Sequence, residues 1–164
     1  MIRDDLTRAE LHALVLEIAR DEAAWRHLVR HDQNRRNYAE ITRQEGVGIW
    51  VISWMDDHDT GFHDHDISSG AVAVVEGRLR EERMRVGGTP VELIYGAGEA
   101  FDFAASDIHR MSHAGGGPAV SIHAYSPPLW RMGAYTIDPD GVVSRESISY
   151  AEELRPLDSV THVS

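Results

Sequence analysis

Among the ten histidines of this chain, three are spaced for shared work. His63 and His65 lie in Gly61-Phe62-His63-Asp64-His65-Asp66, and His109 lies in Asp107-Ile108-His109-Arg110. Neutral imidazole is the commonest protein ligand for iron, zinc, copper and nickel. On a strand, side chains two apart share a face, so His63 and His65 can hold one ion together. Ser121, His123 and Tyr125 form a second constellation at i, i+2 and i+4. Hydroxyl, imidazole and phenol then line one strand face, as a hydrogen-bond relay in which the imidazole orients the phenol. Taken alone, the same pattern also fits a buried polar ladder that merely joins strands.

Composition removes the rival chemistries. There is no cysteine, hence no disulfide, iron–sulfur cluster, thiolate zinc site or cysteine nucleophile. There is no lysine either, so a Schiff base and a P-loop lysine are excluded. The formal charge of −11 disfavours phosphate backbones, and no nucleic-acid partner is expected. Arg78, Arg80, Arg83 and Arg85 are interleaved with Glu76, Glu81 and Glu82, which reads as a solvated strand pair. No apolar run reaches the ~20 residues of a membrane span. The start, Met1-Ile2-Arg3-Asp4-Asp5, lacks the apolar stretch of a signal peptide. A cytoplasmic protein without membrane partners is the expectation.

The elements that must position these residues are legible in outline. Thr7-Arg8-Ala9-Glu10 is a capping box, followed by the apolar stripe Leu11, Leu14, Val15 and Ile18. Asp21 is placed to cap a second short helix facing inward through Trp25, Leu28 and Val29. From Tyr38 the texture becomes β-type, with runs at 47–54, 71–75, 78–86, 91–95, 100–103, 118–125, 132–137 and 142–150. So many short strands in 164 residues predict a mainly β, single-domain closed barrel or jelly roll. The expected division is an N-terminal helical segment over 1–37, a barrel over 38–150 and a tail over 151–164.

The spacing around the histidines resembles the cupin pattern. Asp57, His63-Asp64-His65, Gly70 and Gly77 fall in the frame of its first motif, and Gly98 and His109 in that of its second. Ala104, Ser106 and His113 replace the proline, inner glycine and asparagine of the second motif. Gly70 stands where that pattern usually carries a glutamate ligand. Three neutral imidazoles leave the charge of a divalent ion uncompensated, which favours an anionic ligand such as a thiolate. They also leave up to three positions open on an octahedral ion, which suits an oxygenase better than a closed structural zinc site.

Within the cupins the chain resembles the thiol dioxygenases, most closely the bacterial cysteine dioxygenase-like members. The residues that carry the resemblance are His63-Asp64-His65, the segment 70–81, Ile108-His109-Arg110 and the segment 121–129, Ser-Ile-His-Ala-Tyr-Ser-Pro-Pro-Leu. It implies a cupin barrel with one Fe(II) held by His63, His65 and His109, and cysteine or a related small thiol oxidised by O2 to its sulfinic acid. In the family the tyrosine matching Tyr125 reaches toward substrate and oxygen; His123 and Ser121 would orient it. A 2-oxoglutarate oxygenase would normally use His-x-Asp/Glu, whereas here the second place is His65.

Two departures bear on substrate and rate. Mammalian members join a cysteine to the active-site tyrosine by a thioether; Gly70 stands in that cysteine's place, so no such bond can form. Family members also often carry Tyr-x-Arg early in the barrel, the arginine binding the substrate carboxylate. Here the nearest match is Tyr38-Ala39-Glu40, of the wrong charge. Arg131 is the preferred substitute, with Arg43, Arg36 and Arg110 as alternatives. The rival readings are a dioxygenase for another thiol such as 3-mercaptopropionate, or a non-oxygenase cupin, either a metal-dependent isomerase or a small-ligand sensor. Of the other histidines, His12, His27, His31 and His162 are expected at the surface and His58 in solvent. His113 competes with His109 as a ligand, and the resemblance favours His109.

Overall fold

The computed structural model describes residues 5–149. The capping box forms as expected: Glu10 N donates to Thr7 Oγ1, and the Glu10 carboxylate accepts from Thr7 N at 2.7 Å, opening α1 (Arg8–Arg20). A four-residue α2 (Glu22–Trp25) and one 3-10 turn (Arg26–Leu28) follow. Asp21 stands at the start of α2, yet its side chain makes no capping bond, so that expectation is corrected.

Eleven strands succeed them: β1 (Asn37–Gln44), β2 (Val47–Trp54), β3 (His63–Asp64), β4 (Ser69–Glu76), β5 (Arg78–Arg83), β6 (Val91–Gly96), β7 (Ala100–Phe103), β8 (His109–His113), β9 (Ala119–Ser126), β10 (Arg131–Ile137) and β11 (Val143–Ser149). They make two antiparallel sheets, ordered β1-β2-β9-β4-β7 and β11-β10-β3-β8-β5-β6. The mainly β barrel read from the sequence is the observed fold. The expected tail, 151–164, lies outside the described residues.

One sheet explains the placement of the polar residues. β9 is buried along its whole length because both faces are covered. Val120, Ile122 and Ala124 point outward and join Val47, Ile49, Val51, Ala71 and Ala73 under Leu11, Val15 and Trp25 of the helices. Period-two alternation then turns Ser121, His123 and Tyr125 toward the barrel interior, where Tyr125 packs with Ile52, Trp54, Val72, Phe103 and Met132. Full burial of a side chain such as Leu11 contributes about 1.5–3 kcal/mol. The helices therefore close the back of the sheet that carries the relay.

Candidate metal centre and hydrogen-bond relay

His63 lies on β3 directly opposite His109 on β8. His65 follows one residue after β3, and the same alternation brings it to the side of His63. All three are buried, and one ligand atom from each lies within 4.8 Å of the others. Their ring centroids are 4.7–5.0 Å apart. No carboxylate joins this group among the described residues.

Hydrogen bonds turn the rings. His63 Nδ1 lies 2.9 Å from Gly61 O, and His109 Nδ1 lies 2.8 Å from Glu81 Oε2. A carbonyl and a carboxylate only accept, so both Nδ1 atoms carry the proton and both Nε2 atoms keep a lone pair. His109 Nε2 and His65 Nδ1 are buried without hydrogen-bond partners. Such atoms are rare in folded proteins and call for an explanation, which an ion between the rings supplies. Burial, then the charges of its neighbours, lowers the pKa of His65 and of His109 well below the ordinary value, keeping both rings neutral and able to ligate.

The intervening Asp64 faces the other way. Its carboxylate accepts from Tyr135 Oη at 2.5 Å, from Arg145 at 2.9 and 3.0 Å, and from Gly133 N at 3.1 Å. Burial raises its pKa, but the bonds from Arg145 and Tyr135 outweigh this and hold it below the usual carboxylate range. Gly133 makes room for the clamp: a Cβ there would stand 2.6 Å from Arg145 Cζ. A strand of two residues is thus pinned from outside while His63 and the adjoining His65 face inward.

The relay also forms. Trp54 Nε1 donates to Ser121 Oγ at 2.9 Å, Ser121 Oγ lies 2.7 Å from His123 Nε2, and His123 Nδ1 lies 3.2 Å from Tyr125 Oη. One tautomer of His123 accepts from Ser121 Oγ at Nε2 and donates from Nδ1 to Tyr125 Oη; the other donates to Ser121 Oγ and accepts the Tyr125 proton. Burial, with help from the charges of Arg36 and His63, lowers His123 to about 3, so it stays neutral. Tyr125 lies 5.3 Å from His65, ring to ring, which joins relay and trio in one site.

Other expectations change. His58 is buried rather than in solvent, accepting from Met55 N and bonded to Gln33 O. His113 is held by Gly117 O and Gly115 N, apart from the trio. Arg131 is exposed, and alternation with the inward Met132 turns it to the outer face of β10. Arg110 is engaged by Asp59 and Glu82. Arg36 is 3% exposed and lies over the Trp54 ring at 5.2 Å. Glu81 was read as part of a solvated strand pair, but it is 3% exposed and bound by both His109 and Arg83. The signal was present in β5, where Leu79, Glu81 and Arg83 share a face and Leu79 is core.

The double-sheet barrel with histidines at its centre defines a cupin. A cupin superfamily protein from Desulfitobacterium hafniense superposes with a TM-score of 0.52 at 12% identity, over 63% of this chain and 87% of that one. A Bacillus halodurans structure superposes with a TM-score of 0.54 at 19% identity, over 77% and 83%. The family model for cysteine dioxygenase type I matches residues 1–137, and the chain belongs to that family. Human cysteine dioxygenase type 1 is 24% identical over 138 residues, covering 77% of this chain and 68% of the human protein.

Proposed function

We propose that this chain is an Fe(II)-dependent thiol dioxygenase that converts cysteine or a closely related small thiol to its sulfinic acid. The observation that carries this reading is a buried donor set of three imidazoles with no protein carboxylate among them. The reaction balances without a reductant: RSH and O2 give RSO2H, sulfur losing the four electrons that dioxygen gains. Bound iron would supply a common point of attachment for thiolate and dioxygen, and His63, His65 and His109 would hold it.

The remaining work falls to this chain's own side chains. In the tautomer that donates from Nδ1, His123, set by Ser121 and Trp54, turns the Tyr125 hydroxyl so that its proton faces the site. Tyr125 thereby holds a proton where negative charge develops on substrate or oxygen. Phe103 and the apolar wall exclude water. Arg36 supports recognition of a carboxylate: it is buried, and its charge acts on His123. Arg36 replaces Arg131 in this role because Arg131 faces outward.

One observation keeps a second thiol in view. Glu40 on β1 pairs across to Trp50 on β2, four residues past Arg36, which precedes the strand, and is exposed. Its charge would disfavour a second carboxylate nearby and tolerate an amine. Oxygen uptake by the Fe(II)-loaded protein against cysteine, 3-mercaptopropionate and cysteamine, with mass spectrometry of the products, tests the proposal. Cysteine sulfinate formed one-to-one with O2 is expected, together with a raised KM for cysteine in Arg36→Met. No sulfinate from any of the three thiols overturns the dioxygenase reading, and cysteamine as the best substrate overturns the role of Arg36.

A further inference from the structure

Gly70 is the second residue of β4, where three facts meet. It pairs with Tyr125 on β9 and with Phe103 on β7, so all three residues look into the barrel. Its φ is not in the left-handed region, and the backbone would accept any residue. A Cβ built there nevertheless stands 2.6 Å from Phe103 Cε2 and closer still to Cζ. The chief obstacle is one aromatic ring, with the Ala124 carbonyl oxygen next at 3.1 Å.

That ring is itself tightly held. Phe103 has no exposed surface, stacks on His65 at 4.4 Å and 25°, and lies 4.6 Å from the His109 ring. The ring does two things at once: it backs two of the three proposed ligands and fills the space a side chain at position 70 would need.

We propose that Phe103 is a positioning residue that closes the metal centre to a fourth protein donor, so that the donor set stays at three imidazoles. A carboxylate from β4 would neutralise half the charge of a divalent ion and occupy a coordination position. With Phe103 in place, both are reserved for the substrate. The inference rests on the reading of the trio as a metal centre, and the test separates the two.

Co(II) is titrated by competition into the apoprotein of wild type, Phe103→Leu, Phe103→Ala, Gly70→Glu and Gly70→Glu/Phe103→Ala, with visible spectra and melting curves for each. Wild type that takes up no Co(II) ends the metal-centre reading itself. Given wild-type uptake, Phe103→Leu should fold and bind Co(II) about 10-fold more weakly, within the range for loss of a residue that orients ligands. Gly70→Glu should melt lower than wild type and lose Co(II). The double variant should bind Co(II) at least about 10-fold more tightly than Phe103→Ala, with a spectrum that cysteine no longer perturbs. Phe103→Leu binding as wild type does, Gly70→Glu melting and binding as wild type does, or a double variant no tighter than Phe103→Ala would each overturn the proposal.

Discussion

Glu81 Oε2 lies 2.8 Å from His109 Nδ1, and the two side chains are 3% and 1% exposed. Arg83 bonds both Glu81 oxygens at 3.0 and 3.1 Å and also reaches Asp102 O at 3.0 Å. Burial raises the Glu81 pKa and Arg83 opposes it. The arrangement would let an acidic residue tune the proposed ligand His109 without itself entering the donor set. Such partners orient the ring and raise its basicity.

Removing that partner should therefore weaken metal binding while leaving the fold. Glu81→Leu is expected to lower Co(II) or Fe(II) affinity by about 10–100-fold, read by competition with a chelator. Glu81→Gln keeps an acceptor for Nδ1 and should recover part of the loss. Equal affinities for all three proteins would reduce Glu81 to packing.

Tyr125→Phe should bind metal as wild type does and turn over about 10²-fold or more slowly, the usual scale for losing a positioned proton donor. Ser121→Ala should produce a smaller loss, because His123 keeps its place but loses the bond that selects its tautomer. Single-turnover kinetics on the loaded protein check both. An undiminished rate in Tyr125→Phe would leave the relay as architecture.

The relay also predicts a pH dependence of stability. His123 titrates near 3 in the folded chain but at about 6.5 when unfolded. Between these values the unfolded state binds the extra proton, so acidification from about pH 6.5 downward destabilises the fold. His123→Asn should flatten this dependence by up to about 1.4 kcal/mol per pH unit. Urea midpoints of the apoprotein from pH 7 to 4 measure it, and an unchanged slope would mean that His123 already carries a proton in the fold.

Arg145→Met tests the clamp on β3. It leaves the Asp64 carboxylate with Tyr135, Gly133 N and Asp66 N, and a cost of about 1.5–3 kcal/mol is expected for the lost charged hydrogen bonds. Because Asp64 lies between His63 and His65, metal affinity should fall as well. A stability loss with unchanged affinity would show that β3 keeps its register without the clamp.

What the sequence made legible follows from periodicity. The capping box and stripe of α1 and the long apolar strands β2, β4 and β9 repeat at periods that local physics reads directly. The relay and the His63/His65 pair came from the same alternation, and His109 from the family resemblance. β3 and β8 escaped because strands of two and five residues, built around His, Asp, Arg and Ser, show no apolar repeat; pairing across the barrel and Asp64's clamp make them strands. Glu81 was misjudged for a related reason: a charged residue reads as solvent-facing until a tertiary partner, here His109, covers it. Arg36 stood among the alternatives to Arg131, and only its burial against Trp54 brings it forward. Phe103 was read only as the end of the β run 100–103, and its approach to Gly70 shows what it excludes.

Iron content after anaerobic loading and desalting examines the centre itself. Wild type, His58→Ala and His113→Ala should retain about one Fe(II) per chain, whereas His63→Ala, His65→Ala and His109→Ala should each retain little. Iron lost from His113→Ala but kept in His109→Ala, or a wild type that holds none, would contradict the account.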